Sequence, residues 1–197
     1  MTDRKVCIGV PNVGTIRSKT VLSLLGAVFA SPYPTHFVEQ QGCYVQENRY
    51  QIVREAQRAG CTDLFFVDAD MVFPTDTLLR LLALERPIVG VYYNQRGLPL
   101  VNTVKIADAD GALLEVTPED MPRSLFSCYA VGSGCMLVRM EVFERLAHPW
   151  FFVSHHEDGS LQMGDDVWFG RQARAAGVAV WCDPTIGPVH HLGDYAY

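Results

Sequence analysis

The sequence contains no apolar run of the roughly 18–20 residues that a membrane-spanning helix requires. The apolar stretch at 6–10 is too short for the core of a signal peptide, so it predicts a first strand. Internal repeats and low-complexity tracts are also absent, and 49% hydrophobic with 19% charged residues excludes a disordered or fibrous chain. We therefore expect a soluble, cytoplasmic protein.

Paired cysteines and an excess of positive charge are missing as well. The six cysteines include no CxxC pair, and most of them lie in apolar, strand-like segments. We expect buried reduced thiols rather than a zinc site or a disulfide framework. The formal net charge of −6 argues against a broad phosphate-binding surface, although it leaves room for a local basic groove.

The first half of the chain alternates strand and helix patterns. The strands are predicted at 5–10, 36–40, 63–67 and 87–93, and the helices at 18–30, 46–60 and 75–85. This alternation predicts an α/β fold, with a mostly parallel sheet and helices on its faces. We expect N-caps at Ser18 and Thr75. The helical spacing in the first helix predicts a buried stripe of Val21, Leu24, Leu25 and Val28.

The second half is less regular. It predicts a hairpin around "ADADG" and further strands and helices at 134–138, 139–148, 165–177 and 178–182. A length of 197 residues suits one domain with one sizeable core. We expect a single domain over 1–197, in which a parallel nucleotide-binding half (1–95) is joined to a mixed half (96–197).

Two carboxylates, Asp68 and Asp70, follow the buried run "LFFV", with Ala69 between them. Ligands of open α/β sheets bind beyond the carboxyl ends of the strands, and this pair lies at such an end. Neighbouring carboxylates repel each other, and their hard oxygens suit Mg²⁺ or Mn²⁺. Capping of the next helix is disfavoured because Thr75 takes that position. The pair therefore predicts a divalent metal site that neutralises a diphosphate.

The same three letters recur at Asp108, Ala109 and Asp110, followed by Gly111. Asp-Gly between two apolar runs is a hairpin signal, so this copy is predicted to be a turn and not a site.

A buried strand that ends in Asp-x-Asp, followed by a helix and by "IVGVYY", resembles the GT-A fold of nucleotide-sugar glycosyltransferases. The chain is most similar to small, inverting, family-2-type enzymes of bacteria and phages. The matching segments, which cover most of the chain, are "IGVPNVGTI", "QENRYQIVREA", "VGSGCMLVRMEVFERLAHPWF", "GDDVWFGRQARAAGVAVWCDP" and "VHHLG". The resemblance implies a Rossmann-like mixed sheet, with a nucleotide-sugar-binding half before an acceptor and catalytic half. A phage-encoded enzyme of this kind would act in the host cytoplasm.

The resemblance also implies roles for residues near the C-terminus. Asp166 matches the catalytic aspartate and is the expected general base, while Asp165 stands where glutamate is commoner. The alternative is that both are first-turn helix acids favoured by the dipole, which would also keep a base ionised. A late histidine completes the metal site in many of these enzymes. His191, directly before Leu-Gly, fits that pattern better than His190.

On the donor side, Pro11, Asn12 and Thr15 follow the first strand and are placed to meet the base and ribose. Arg49 is expected to pair with the nucleotide or its phosphates. An ordinary loop and a solvated helix arginine are the respective alternatives.

On the acceptor side, the glycines of "GSG" at 132–134 allow either close approach to a ligand or tight packing. Trp150 and Trp168 suit either an acceptor platform or the core. The pair His155 and His156 lies in a polar segment that resembles a mobile loop.

The main hypothesis is a metal-dependent glycosyltransferase that uses Mn²⁺ or Mg²⁺ and a nucleoside-diphosphate sugar, with UDP as the expected nucleotide. Asp70 and His191 would hold the metal, and Asp68 would touch ribose or metal-bound water. One alternative is a sugar-phosphate nucleotidyltransferase, which the single glycine of "PNVGTIRSKT" disfavours. The other is a non-catalytic nucleotide-sugar-binding module.

The acceptor is open between a hydroxymethylated DNA base, a saccharide and a protein. A lipid-linked acceptor would require a partner or a peripheral patch, because no spanning segment is present. We expect a monomer or a small homo-oligomer.

Overall fold

The computed structural model describes residues 4–97, 99–117 and 119–193. Its helices are α1 (Ser18–Ala30), α2 (Val45–Arg58), α3 (Thr77–Ala83), α4 (Met140–Arg145) and α5 (Asp165–Ala175). Its strands are β1 (Val6–Asn12), β2 (Thr35–Gln41), β3 (Asp63–Val67), β4 (Met71–Val72), β5 (Ile88–Val91), β6 (Lys105–Ala107), β7 (Leu113–Glu115), β8 (Phe126–Cys128), β9 (Cys135–Arg139), β10 (Ser154–His155), β11 (Leu161–Met163), β12 (Val180–Asp183) and β13 (His190–His191). Within these ranges, no helix is long and apolar enough to cross a membrane.

The central sheet has seven strands in the order β2-β1-β3-β9-β5-β12-β8. Strands β2, β1 and β3 pair in parallel, as do β5 and β12. Strand β9 runs antiparallel between β3 and β5, and β8 runs antiparallel to β12 at the edge. Because β9 opposes both β3 and β5, those two strands point the same way. The expected mixed, mostly parallel sheet flanked by helices is therefore confirmed.

The two faces of the sheet carry separate apolar cores because neighbouring strand residues point to opposite sides. Phe65 packs into the core covered by α1 and α3, whereas Phe66 packs into the core covered by α2, α4 and α5. Each ring is completely buried, which stabilises the fold by about 2–3 kcal/mol per side chain. All six cysteines are free thiols, and five of them are buried, as expected.

Strand β9 joins the two halves of the chain. It belongs to the part after residue 95, yet it lies between β3 and β5 of the part before it. The loop before β9 therefore reaches the carboxyl end of β3, where Asp68 lies. Sequence alternation alone gave no indication of this insertion.

The predicted buried stripe of α1 is wrong at Val21 and Leu25, which are exposed. The residues that the helix buries are Thr20, Ser23, Leu24 and Ala27. Small side chains are accommodated here because α1 approaches its neighbours closely. A Cβ built on Gly26 would collide with Thr75, and Ser23 Oγ accepts a hydrogen bond from the Phe73 amide at 3.1 Å.

Both predicted N-caps are also displaced. Ser18 is the first helical residue of α1 and Arg17 is its N-cap, while Asp76 rather than Thr75 is the N-cap of α3. Neither N-cap side chain forms a capping hydrogen bond. Thr75 instead lies against Gly26 of α1. Side-chain packing between the helices thus outweighs local capping preference.

The second "DAD" is a turn, as predicted. Asp108 Oδ1 accepts hydrogen bonds from the amides of Asp110 at 3.0 Å and Ala112 at 2.8 Å. Strands β6 and β7 pair antiparallel on either side. The carboxylate of Asp108 is therefore committed to its own loop.

Candidate active site

An open cavity of about 350 Å³ lies at the carboxyl ends of β1 and β3. The predicted donor residues Pro11, Asn12 and Thr15 line it together with 68–70 and His191. Segments that are far apart in the sequence thus meet at one edge of the sheet. This is the edge at which ligands of open α/β sheets bind.

The backbone of the first "DAD" is fixed by three distant segments. The Asp68 amide donates to the Gly134 carbonyl at 3.0 Å. The Ala69 carbonyl accepts from the Arg17 amide at 2.8 Å, and the Asp70 carbonyl accepts from the Leu192 amide at 2.7 Å. These bonds hold the two carboxylates in place without using either side chain.

His191 reaches Asp70 because β13 pairs antiparallel with β4, directly after the acidic pair. Its Nε2 lies 3.2 Å from Asp70 Oδ1, and Arg96 Nη1 lies 3.5 Å from Asp70 Oδ2. Burial would raise the pKa of Asp70, but the His191 hydrogen bond and the charges of His191 and Arg96 lower it overall. Asp70 is therefore poised as a carboxylate, the form that a cation would bind.

His190 faces away from this centre. Adjacent strand residues point to opposite sides, so His190 lines a different cavity together with Tyr92 and Pro188. The structure thus separates the two histidines that the sequence left as joint candidates, and it brings only His191 to Asp70. The expectation of a metal role for His190 is corrected accordingly.

Asp70 and His191 are the two side chains of this site that would hold a divalent ion. No group of three or more His, Cys, Asp or Glu side chains gathers for a metal within the described parts of the chain. Mg²⁺ is commonly held by one or two protein groups, with substrate phosphates and water at the other positions. A two-ligand site beside an open cavity fits that mode. The His191 Nδ1 atom is buried without a hydrogen-bond partner among the described residues.

Arg49 is not in the open cavity, which revises its expected contact with the nucleotide. Its side chain is 4% exposed, and its Nη2 lies 3.0 Å from Asp68 Oδ1 while its Nε donates to Asp165 Oδ2 at 2.8 Å. Burial acts to lower the pKa of Arg49, but Asp68 and Asp165 outweigh it and raise the pKa overall. Arg49 therefore links Asp68 of the first acidic pair to Asp165 of the pair Asp165 and Asp166.

Asp166 is the second residue of α5, next to Asp165, and its Oδ1 accepts a hydrogen bond from the Val167 amide at 2.7 Å. Burial and the neighbouring charge of Asp165 raise the pKa of Asp166 to about 6. The helix N-terminus therefore does not hold the pKa of this group at its ordinary value, but a pKa of about 6 still leaves the carboxylate ionised at neutral pH, as expected of a base. Desolvation dominates, and it places the titration close to neutral pH.

Tyr93, which the sequence did not single out, lies beside Gly134 of the predicted "GSG" segment. The Gly134 amide donates to Tyr93 Oη at 2.9 Å, and a Cβ on Gly134 would lie 2.8 Å from Asp68 Oδ2. Burial and the charges of Asp68 and Asp166 raise the pKa of Tyr93. The "GSG" signal was present in the sequence, and close packing against Asp68 and Tyr93 is the reason for Gly134.

Two asparagine side chains that line the cavity are committed to the protein itself. Asn12 donates to Glu39 Oε1 at 3.0 Å and accepts from the Gly14 amide at 2.7 Å. Asn48, which precedes Arg49 in "QENRYQIVREA", donates to the Asn12 and Gly42 carbonyls at 3.1 and 2.9 Å. These bonds shape the cavity wall, and they commit both the side chain and the carbonyl of Asn12 to the protein itself.

The remaining candidates lie outside the cavity. Trp150 is 3% exposed and packs against Phe143 and His148 with ring centroids 5.2 and 4.3 Å apart, which favours the core interpretation. Trp168 Nε1 donates to the Pro149 carbonyl at 2.8 Å. His155 lies in the β10-β11 hairpin and is exposed.

No protein-family model matches the sequence, and no curated protein matches it either. The fold is similar to that of A197 from STIV, with a TM-score of 0.64 and 16% identity over 97% of this chain and 86% of that one. It is also similar to GalNAc-T7 in its structure with UDP, GalNAc and Mn²⁺, with a TM-score of 0.62 and 11% identity over 96% of this chain and 44% of that chain. This chain thus spans less than half of GalNAc-T7.

A third similar structure is UDP-glucose pyrophosphorylase complexed with UDP-glucose, with a TM-score of 0.53 and 10% identity over 95% of this chain and 92% of that one. At these identities the likeness shows the fold. The expected GT-A-like architecture is confirmed, and it is shared by enzymes of glycosyl and nucleotidyl transfer.

Proposed function

We propose that the protein is a metal-dependent glycosyltransferase that moves a sugar from a nucleoside-diphosphate sugar, with UDP as the nucleotide, to an acceptor hydroxyl with inversion. The observation that carries this proposal is the contact of His191 with Asp70 at the mouth of the donor cavity. An acidic pair, a late histidine and a cavity at the carboxyl edge of the sheet form a suitable site for a diphosphate and its cation.

For donor binding, Pro11 and Thr15 would contact the base and ribose from the loop after β1. Asp70 and His191 would hold Mn²⁺ or Mg²⁺, and Asp68 would face the ribose or metal-bound water. The bound ion would neutralise the diphosphate and assist its departure. Arg96 and Arg17, which also line the cavity, add positive charge for the same phosphates.

For sugar transfer, Asp166 is the proposed general base. Its carboxylate would take the proton of the acceptor hydroxyl while that oxygen bonds to the anomeric carbon and the bond to the nucleoside diphosphate breaks. A pKa of about 6 supports this role because the group is ionised at neutral pH and remains basic enough to accept a proton. Arg49 would orient Asp165 beside it.

The proposed acceptor stays open between a hydroxymethylated DNA base, a saccharide and a protein. Four arginines give little support to a DNA groove. Arg58 pairs with Glu55, Arg171 and Arg174 lie over Trp168 and Tyr129, and Arg54 is exposed on α2.

The test is turnover of labelled UDP-sugars with Mn²⁺, with and without chelator, against modified DNA, glycans and peptides. Metal-dependent labelling of one acceptor is the expected result. Full activity under complete chelation would contradict the mechanism. Pyrophosphate release from UTP and a sugar phosphate would instead identify a nucleotidyltransferase, and binding without turnover would identify a non-catalytic module.

A further inference from the structure

Helix α1 turns its large apolar side chains outward and its small ones inward. Thr20, Ser23 and Ala27 face the core, together with Leu24. The outer side carries Val21, Leu22, Leu25 and Phe29, which are 38%, 68%, 47% and 84% exposed. We call these four residues the outer face of α1. An ordinary surface helix shows the reverse arrangement, so this face is suited to a partner that replaces water.

The outer face continues towards the donor cavity. Val13, in the loop between β1 and α1, is 78% exposed and lines that cavity together with Thr15 and Arg17. This loop therefore connects the cavity wall to the first residue of α1. Whatever covers the outer face of α1 would lie beside the cavity mouth.

The charge along α1 differs in sign from that of the whole chain. From residue 13 to residue 30 the sequence has Arg17 and Lys19 and no Asp or Glu, whereas the whole chain has a net charge of −6. Arg17 and Lys19 stand at the start of α1, next to its apolar side chains. Apolar residues bordered by basic ones form the pattern of a helix that lies in an anionic membrane interface.

We propose that the outer face of α1 docks onto an anionic lipid surface, with Leu22 and Phe29 entering the headgroup boundary and Lys19 pairing with lipid phosphates. A second copy of the chain suits this face less well. Four side chains of one helix offer much less than the roughly 800 Å² that each partner contributes to a standard interface.

Docking of α1 on a membrane also indicates the chemical class of the acceptor. This inference rests on the proposed glycosyltransferase function. With α1 on the membrane, the loop at Val13 and the donor cavity lie close to the headgroups. The acceptor hydroxyl would then belong to a lipid or a lipid-linked molecule.

The test is flotation with vesicles of phosphatidylcholine alone and of phosphatidylcholine with phosphatidylglycerol. The chain should float with the anionic vesicles, and 0.5 M salt, on the order of several times physiological strength, should weaken this binding. The double variant Leu22→Ser/Phe29→Ser should lose about tenfold or more in vesicle affinity. The matched control Leu114→Ser/Leu161→Ser, which changes two other exposed leucines, should bind like the wild type.

Circular dichroism of both variants excludes misfolding as the cause of lost binding. The proposal is overturned if the wild type stays with the unbound fraction, or if both double variants bind as it does. It is also overturned if light scattering without vesicles shows a dimer that Leu22→Ser/Phe29→Ser dissociates. Because flotation needs no sugar donor, its outcome is independent of the proposed glycosyl transfer.

Discussion

His191 Nε2 lies 3.2 Å from Asp70 Oδ1, although most of the chain separates the two residues. The contact depends on β13, whose pairing with β4 places one histidine beside the acidic pair and its neighbour on the other side. The two adjacent histidines therefore allow a test substitution at His191 and a matched control substitution at His190.

His191→Ala should weaken Mn²⁺-dependent binding of UDP by about tenfold or more, because it removes one of two proposed protein ligands. His190→Ala should leave that binding unchanged. Titration calorimetry of UDP with and without Mn²⁺ measures both. Equal effects of the two substitutions would contradict the proposed metal site.

Asp166→Asn should reduce kcat by about 10²–10⁴-fold while UDP binding stays near the wild-type value, because a general base acts in the chemical step. Steady-state kinetics and calorimetry on the same preparation separate the two quantities. A variant that keeps its full rate would exclude Asp166 as the base.

The same substitution should stabilise the fold at pH 7. The folded-state pKa of Asp166 is about 6, above its ordinary value, so ionisation in the folded state is unfavourable and stability falls as pH rises between those values. Removing the charge should raise the free energy of unfolding by roughly 1–3 kcal/mol at pH 7, and by little near pH 4. Urea unfolding at both values tests this sign.

The pH dependence of the rate follows from the same group. The general base must be ionised, so kcat/KM should fall about tenfold per pH unit below pH 6 and level off above it. A pH profile of UDP-sugar turnover tests this expectation. If kcat/KM of the Asp166→Asn variant still falls below the same pH, the titrating group is another residue.

Arg49→Met should lower the free energy of unfolding by about 2–4 kcal/mol, because Asp68 and Asp165 would lose their shared cation. Arg54 lies on the same helix and is exposed, so Arg54→Met should change stability by less than about 0.5 kcal/mol. Urea unfolding compares the two. Equal stability of both variants would show that the bridge contributes nothing.

The sequence predicted the strand and helix order, the position of the acidic pair and the choice of His191 as the histidine near that pair, because these depend on local patterns and one recognisable resemblance. It could not show that Arg49 bridges two carboxylates, since that contact depends on how α2 and α5 pack. The sequence also could not show which side of α1 faces the core. Its apolar residues surround the helix, and only the close approach at Gly26 decides which of them are buried.

The antiparallel insertion of β9 has a consequence for folding. The first half of the chain, once synthesised, has β3 and β5 but not the strand that lies between them. These long-range pairings form late, because loop closure precedes any gain from strand contacts. A fragment that ends near residue 95 should therefore remain poorly ordered until the second half is added. The acidic pair at the end of β3 would be assembled only in the complete chain.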